Sequence, residues 1–104
     1  MQPFVYKILT RAQWSELRTK GEFAGSPDDL RDGFVHLSTL EQVPGTLAKH
    51  FAGQVGLVLV EVASAALGDA LRWEASRGGA LFPHLYGVLR VGDVRLHSSE
   101  VHAS

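Results

Sequence analysis

From Val55 to Val62 the chain is apolar except at Gly56 and Glu61. Such a run is far shorter than the roughly 20 residues needed to cross a bilayer, and too continuous for an element with one wet face. It is predicted to be a central strand covered on both sides. The rest of the chain must supply that cover. With 104 residues there is room for one small domain, because two would each fall below the size at which a core sustains itself.

The flanking segments read as the covering elements. Phe4-Val5-Tyr6-Lys7-Ile8-Leu9 is rich in branched and aromatic residues and is predicted to be a strand. Thr10 with Gln13 is a capping box, and Leu9 with Trp14 has the spacing of a hydrophobic staple, so a helix is expected from Arg11 to about Lys20, ended by Gly21. Glu22 to Asp32 is rich in turn formers and is expected to be a structured loop, with Ser26 capping a single turn that begins at Pro27. Phe34-Val35-His36-Leu37 follows as a four-residue strand with Phe34 and His36 on one face.

Ser38 with Glu41 and Thr39 with Gln42 are overlapping capping boxes, and Leu40, Val43, Leu47 and Phe51 recur on one stripe of a second helix. Ala63 to Gly68 reads as a turn or short helical piece. Leu71-Arg72-Trp73-Glu74 alternates as an edge strand does, Ser76-Arg77-Gly78-Gly79 is a loop, and Phe82 to Tyr86 is extended, with His84 and Tyr86 pointing the same way. Val88 to Val91 and Val94 to Leu96, separated by Gly92-Asp93, read as a final hairpin. The expected architecture is an α+β domain over residues 1–104, two helices on a mixed or antiparallel, split sheet, with its folded core at about 4–96 and a tail at 97–104.

Composition narrows the function. Ten Lys and Arg against eleven Asp and Glu give a formal charge of -1, so nucleic acid and anionic membranes are not expected as partners. Zero cysteines exclude disulfides, a thiolate nucleophile and Cys-containing metal sites. The opening Met1-Gln2-Pro3 lacks the basic and apolar stretches of a secretory signal, so a cytoplasmic location is the expectation, as a monomer or weak dimer.

Phosphate-binding glycine loops, nucleophile elbows and His-x-x-x-His pairs are all absent from the sequence, so the chemistry must come from polar groups in unusual places. His36 lies mid-strand between Val35 and Leu37, where it reads either as a hydrogen-bonded structural residue or as a catalytic one. Glu74 closes a strand beside Arg77 on the glycine loop. That pair reads as a carboxylate for acid-base or cation-stabilising work with an anion-binding arginine, or as a surface ion pair. His84 and Tyr86 put an imidazole and a phenol on one face, the tyrosine serving as a stacking surface or as core. A metal set of His36, His84 and Glu74 is set aside because no ligand spacing supports it. Ser38 and Thr39, ahead of a helix start, are candidate ligand-binding hydroxyls.

The strings Asp32-Gly33-Phe34-Val35-His36-Leu37-Ser38-Thr39 and Phe82-Pro83-His84-Leu85-Tyr86-Gly87, with Tyr6-Lys7-Ile8, Trp14, Gly25-Ser26, Gln42, Thr46-Leu47-Ala48, Phe51 and Leu71-Arg72-Trp73-Glu74, resemble the family known as domain of unknown function 952 over about residues 4 to 96. That family is grouped by fold-level similarity with the ADP-ribosyltransferase-like superfamily, in which a split antiparallel sheet forms a cleft for NAD. The resemblance implies a nucleotide-handling or transferase-like protein, with NAD or another phosphorylated ligand. A non-catalytic module binding a small molecule or anion is the alternative. By this resemblance His36 with Ser38 matches the strand histidine and hydroxyl that contact ribose and nicotinamide, Tyr86 the stacking aromatic, and Glu74 the strand-end acid. Leu37 stands where many relatives have Gly, and the acid precedes the aromatic, the reverse of the usual superfamily order.

Overall fold

The computed structural model describes residues 2–101, with only the backbone of Arg77 and Glu100. The expected central strand is β4, Leu57–Ala63. It pairs antiparallel with β1, Phe4–Leu9, on one side and with β8, Val94–Val101, on the other. A second antiparallel sheet has β6, Leu81–Leu85, between β3, Val35–His36, and β5, Leu71–Ala75. A third pairing joins β2, Glu22–Phe23, to β7, Leu89–Arg90. Tyr6 and Ser38 exchange backbone hydrogen bonds of 2.8 and 2.9 Å, which stitch the edge of the first sheet to the start of the site-bearing segment after β3. Every strand pairing among the described residues is antiparallel, and the sheet is split.

Cover on two sides of β4 is what the chain builds. Val58, Val60 and Val62 face a core that includes Val5 and Leu9 of β1, Leu17, Phe23, Val35, Leu85 and Leu89. Leu57 faces a smaller cluster with Tyr6, Ile8 and Val43, against which Leu47 and Phe51 pack. The first core is closed by α1, Arg11–Lys20, whose N-cap Thr10 forms the expected capping box with Gln13. The second cluster is closed by α3, Val43–His50.

Several expectations are corrected. Among the described residues there are four α-helices, because the turn capped by Ser26 continues as α2, Pro27–Asp32, and Ser64–Leu67 forms α4. Ser26 and Asp29 satisfy each other's backbone amides in a full capping box, which is enough to hold six residues helical. The expected loop also contributes β2. The second helix starts as a 3-10 turn, Leu40–Gln42, before α3, and Leu40 is left exposed on the wrong side of the stripe. Thr39 makes its capping box with Gln42, but Ser38 does not cap: its hydroxyl meets that of Thr46 at 3.0 Å.

The expected final hairpin does not form, since β7 pairs with β2 and β8 with β4. The segment from His97 is strand as far as Val101, with His97 opposite Val60 and Ser98 opposite Leu59, so the tail reading fails there. Residues 102–104 lie outside the described ones. Arg77–Gly79 is a 3-10 turn after an extended Ser76, with Ser76 N–H donating to the carbonyl of Ala80 and Gly79 N–H to that of Ser76. Among the described residues no helix is long and apolar enough to cross a membrane.

Candidate functional site

The sheet of β3, β6 and β5 has two unlike faces, because directly opposed residues of antiparallel strands share a side. Val35, Leu85 and Leu71 form a row that packs on the core. The next row, His36, His84 and Arg72, lies on the other side, followed by Phe82 and Glu74. Strand alternation thus delivers both histidines to one surface. That surface forms part of a cleft of about 630 Å³, whose walls are α2 and α3 and whose floor includes Lys7, Phe34, His36 and His84. The volume lies in the range of small-molecule sites.

Asp29, in the middle of α2, is the anchor of one side. Its side chain is 1% exposed and receives Lys7 Nζ at 3.0 and 3.3 Å, the amides of Ser26 and His36 at 2.8 and 3.0 Å, and His36 Nδ1 at 2.6 Å. Burial alone would push this carboxyl up. The His36 ring, the Lys7 ammonium and the two amides outweigh it and hold the group well below the usual carboxylate range. Lys7 also donates to the carbonyl of His36 at 3.0 Å, so one ammonium ties β1, α2 and β3 together. Burial pulls Lys7 below its ordinary value, and the Asp29 charge works against that fall.

The approach of α2 is close. Gly25 has φ +141° and a Cβ there would lie 2.6 Å from the Asp29 Cβ, so only glycine permits this packing.

His84 is supported differently. It is buried, its Nδ1 is 2.7 Å from Glu74 Oε1, and its ring stacks on Phe34 with centroids 4.0 Å apart. The same Glu74 oxygen accepts the Tyr86 hydroxyl at 2.8 Å. The hydrogen bonds from His84 and then Tyr86 hold Glu74 below its ordinary value, and the carboxylate in turn raises Tyr86. An ionised carboxylate only accepts, so Nδ1 of His84 carries hydrogen and, in the neutral ring, Nε2 is an acceptor. His36 differs at its second nitrogen: Nε2 is 3.0 Å from Asp32 Oδ2 at the C-terminal end of α2.

The candidate residues therefore divide. His36, Ser38 and His84 line the cleft. Glu74 and Tyr86 stand behind His84 rather than in the cleft, with the Tyr86 ring under the Arg72 guanidinium at 4.9 Å. Tyr86 is thus not placed to stack on a ligand there. Thr39 is buried and its hydroxyl accepts the Gln42 amide, so it is a helix cap and not a free hydroxyl. The Arg77 side chain lies outside the described residues. Among those described, no three His, Asp or Glu side chains are grouped to hold a metal ion.

Lys7, Asp29 and Asp32 were missed from the sequence. A lysine in the middle of an apolar strand and an acid at the third position of a Ser-capped turn were the available signals.

Comparison with known proteins agrees with the geometry in fold. The crystal structure of protein CC0527 from Caulobacter crescentus superimposes with a TM-score of 0.89 at 52% identity, covering 92% of this chain and 84% of that one. The crystal structure of a double mutant of CC0527 gives 0.89 at 51% over the same shares. The solution NMR structure of CC0527 gives 0.85 at 50%, over 98% and 89%. None of the curated proteins compared with the chain matches it. The sequence pattern of one family, described as "Protein of unknown function (DUF952)", matches residues 8–97, and the chain belongs to that family.

Proposed function

We propose that this protein is a transferase-like enzyme that binds a nucleotide-like or otherwise phosphorylated small molecule in the cleft between α2 and α3, with His84 as its general base. The observation that carries the reading is the His84–Glu74 pair. A carboxylate fixes Nδ1, an aromatic ring fixes the plane, and Nε2 is left to take a proton from an acceptor hydroxyl. As it does, the hydroxyl oxygen bonds to the transferred group of the ligand and the bond from that group to its leaving group breaks, the leaving group departing with the electron pair. His84 is then the catalytic residue and Glu74 a positioning residue. His36 and Ser38 belong to ligand binding on the same floor.

The split antiparallel sheet and the cleft beside its Tyr6–Ser38 junction support the ADP-ribosyltransferase-like comparison, and with it NAD as a ligand to test. A second reading, a binding module without turnover, is favoured by His36, both of whose ring nitrogens already face carboxylates.

The test is a thermal-shift series with NAD, ADP-ribose, mononucleotides and sugar phosphates, followed by turnover assays on whichever ligand binds. A ligand at about 100 times its Kd stabilises the native state by about 2.7 kcal/mol, a clear rise in Tm. His84→Gln should keep binding and abolish turnover. Failure of every ligand in the series to raise Tm sinks the enzyme reading, and turnover that survives His84→Gln removes His84 as the general base.

A further inference from the structure

The two sides of the His36 ring are not equivalent. Nδ1 meets Asp29, which is buried and already holds Lys7 and two backbone amides, so that contact is locked into the fold. Nε2 meets Asp32, which is one-third exposed at the mouth of the cleft. With a hydrogen on each ring nitrogen, His36 donates to both acids. Because Asp29 is buried and held by three other donors while Asp32 is partly exposed, the Asp32 contact is the one open to exchange. Asp32 also has somewhere else to go: Arg31 holds it through Nε at 3.0 Å and Nη2 at 3.4 Å, and that pair survives if the His36 contact breaks.

We propose that Asp32 occupies an oxyanion subsite at His36 Nε2, as an internal stand-in that a phosphate or carboxylate oxygen of the ligand displaces. The inference rests on the reading that this cleft binds a small ligand, and it names the group that ligand carries and where the group docks. Asp32, Arg31, Ser26 and His36 all line the cleft, so the exchange happens inside it. The charged or titratable groups facing His36 are Asp29 and Asp32 from α2, Lys7 from β1 and His84 from β6. Only the Asp32 contact lies at the solvent-facing end of α2, and it gives the subsite a built-in competitor that weak, adventitious anions must beat.

The experiment uses the intact protein at about pH 6, where an imidazole can carry both hydrogens. Inorganic phosphate and, separately, acetate are titrated while the ring nitrogens of His36 are followed by nitrogen-15 NMR. The Nε2 resonance should move with at least one of the two anions, and which one moves it identifies phosphate or carboxylate as the preferred group. Asp32→Asn should tighten that binding by about three- to fivefold, the size of one exposed ion pair. Asp28→Asn removes the same charge from the same wall without touching His36, and should tighten it less. An Nε2 resonance indifferent to both anions, no gain in Asp32→Asn, or an equal gain in Asp28→Asn each overturns the proposal. None of these readouts involves turnover, so the subsite and the base assigned to His84 stand or fall separately.

Discussion

His36 and His84 stand opposite each other on β3 and β6 with ring centroids 5.7 Å apart, and each is held at Nδ1 by a carboxylate from a different element. Asp29 comes from a helix and is buried, whereas Glu74 comes from an edge strand and is partly exposed. Equivalent support at one nitrogen thus coexists with unequal surroundings at the other, and the two rings can serve different ends.

Glu74→Gln keeps the shape of the side chain but replaces an acceptor-only group with one that can also donate. It should lower turnover by about a hundredfold with little change in KM, as expected for a lost orienting contact. Nitrogen-15 NMR of His84 should show its hydrogen no longer fixed on Nδ1. Because Glu74 is more than a third exposed, Tm should barely move, and a variant that unfolds would make Glu74 a structural partner instead.

Asp29→Asn leaves Lys7 buried without its counter-charge. Breaking a buried pair from one side costs about 3 to 5 kcal/mol, so urea unfolding should show a loss of that order. The pH dependence has a defined sign. The folded carboxyl is held below its unfolded value, so its stabilisation is present above about pH 4 and is lost as pH falls below that. The variant should lack this acid limb.

Tyr6 donates to Glu61 at 2.6 Å, and that hydrogen bond, with burial, pushes the phenol up to about 12. Tyr86 is raised as well, by Glu74. These are the two tyrosines of the chain, so ultraviolet titration of the folded protein should find neither ionising at the ordinary value of about 10. The folded Tyr6 binds its proton more tightly than the unfolded one. Its contribution is therefore complete below about pH 10 and is lost as pH rises through about 12. Glu61→Gln should bring one tyrosine down.

Leu17, the buried residue of α1, is fully enclosed by the main core. Leu17→Ala should cost about 2 to 5 kcal/mol in chemical unfolding through lost burial and the cavity left behind. A cost under about 1 kcal/mol would mean that α1 closes the core far more loosely than its packing implies.

Elements written in local pattern were legible. The Thr10–Gln13 box, the apolar β4 and the alternation that sets His36 on one face all depend on neighbours within a few residues. Pairings between distant segments were not. Glu22–Phe23 is too short to register as a strand until β7 meets it, and the polar letters His97-Ser98-Ser99 hide a strand whose backbone, not its side chains, completes the sheet. The site shows the same division. The two histidines were legible from strand phase. Asp29 was not, because what makes it central is the arrival of Lys7 from 22 residues away.

The Lys7 ammonium spends its hydrogens on β1's distant neighbours, Asp29 and the backbone of His36, and this binds the histories of those positions together. A lineage that loses the acid first inherits a buried charge, and one that loses the lysine first inherits an acid with a vacant donor. Neither order is easy to cross one step at a time. Positions 7 and 29 should therefore be inherited as a pair across relatives, and where one is replaced by an apolar residue the other should have changed with it.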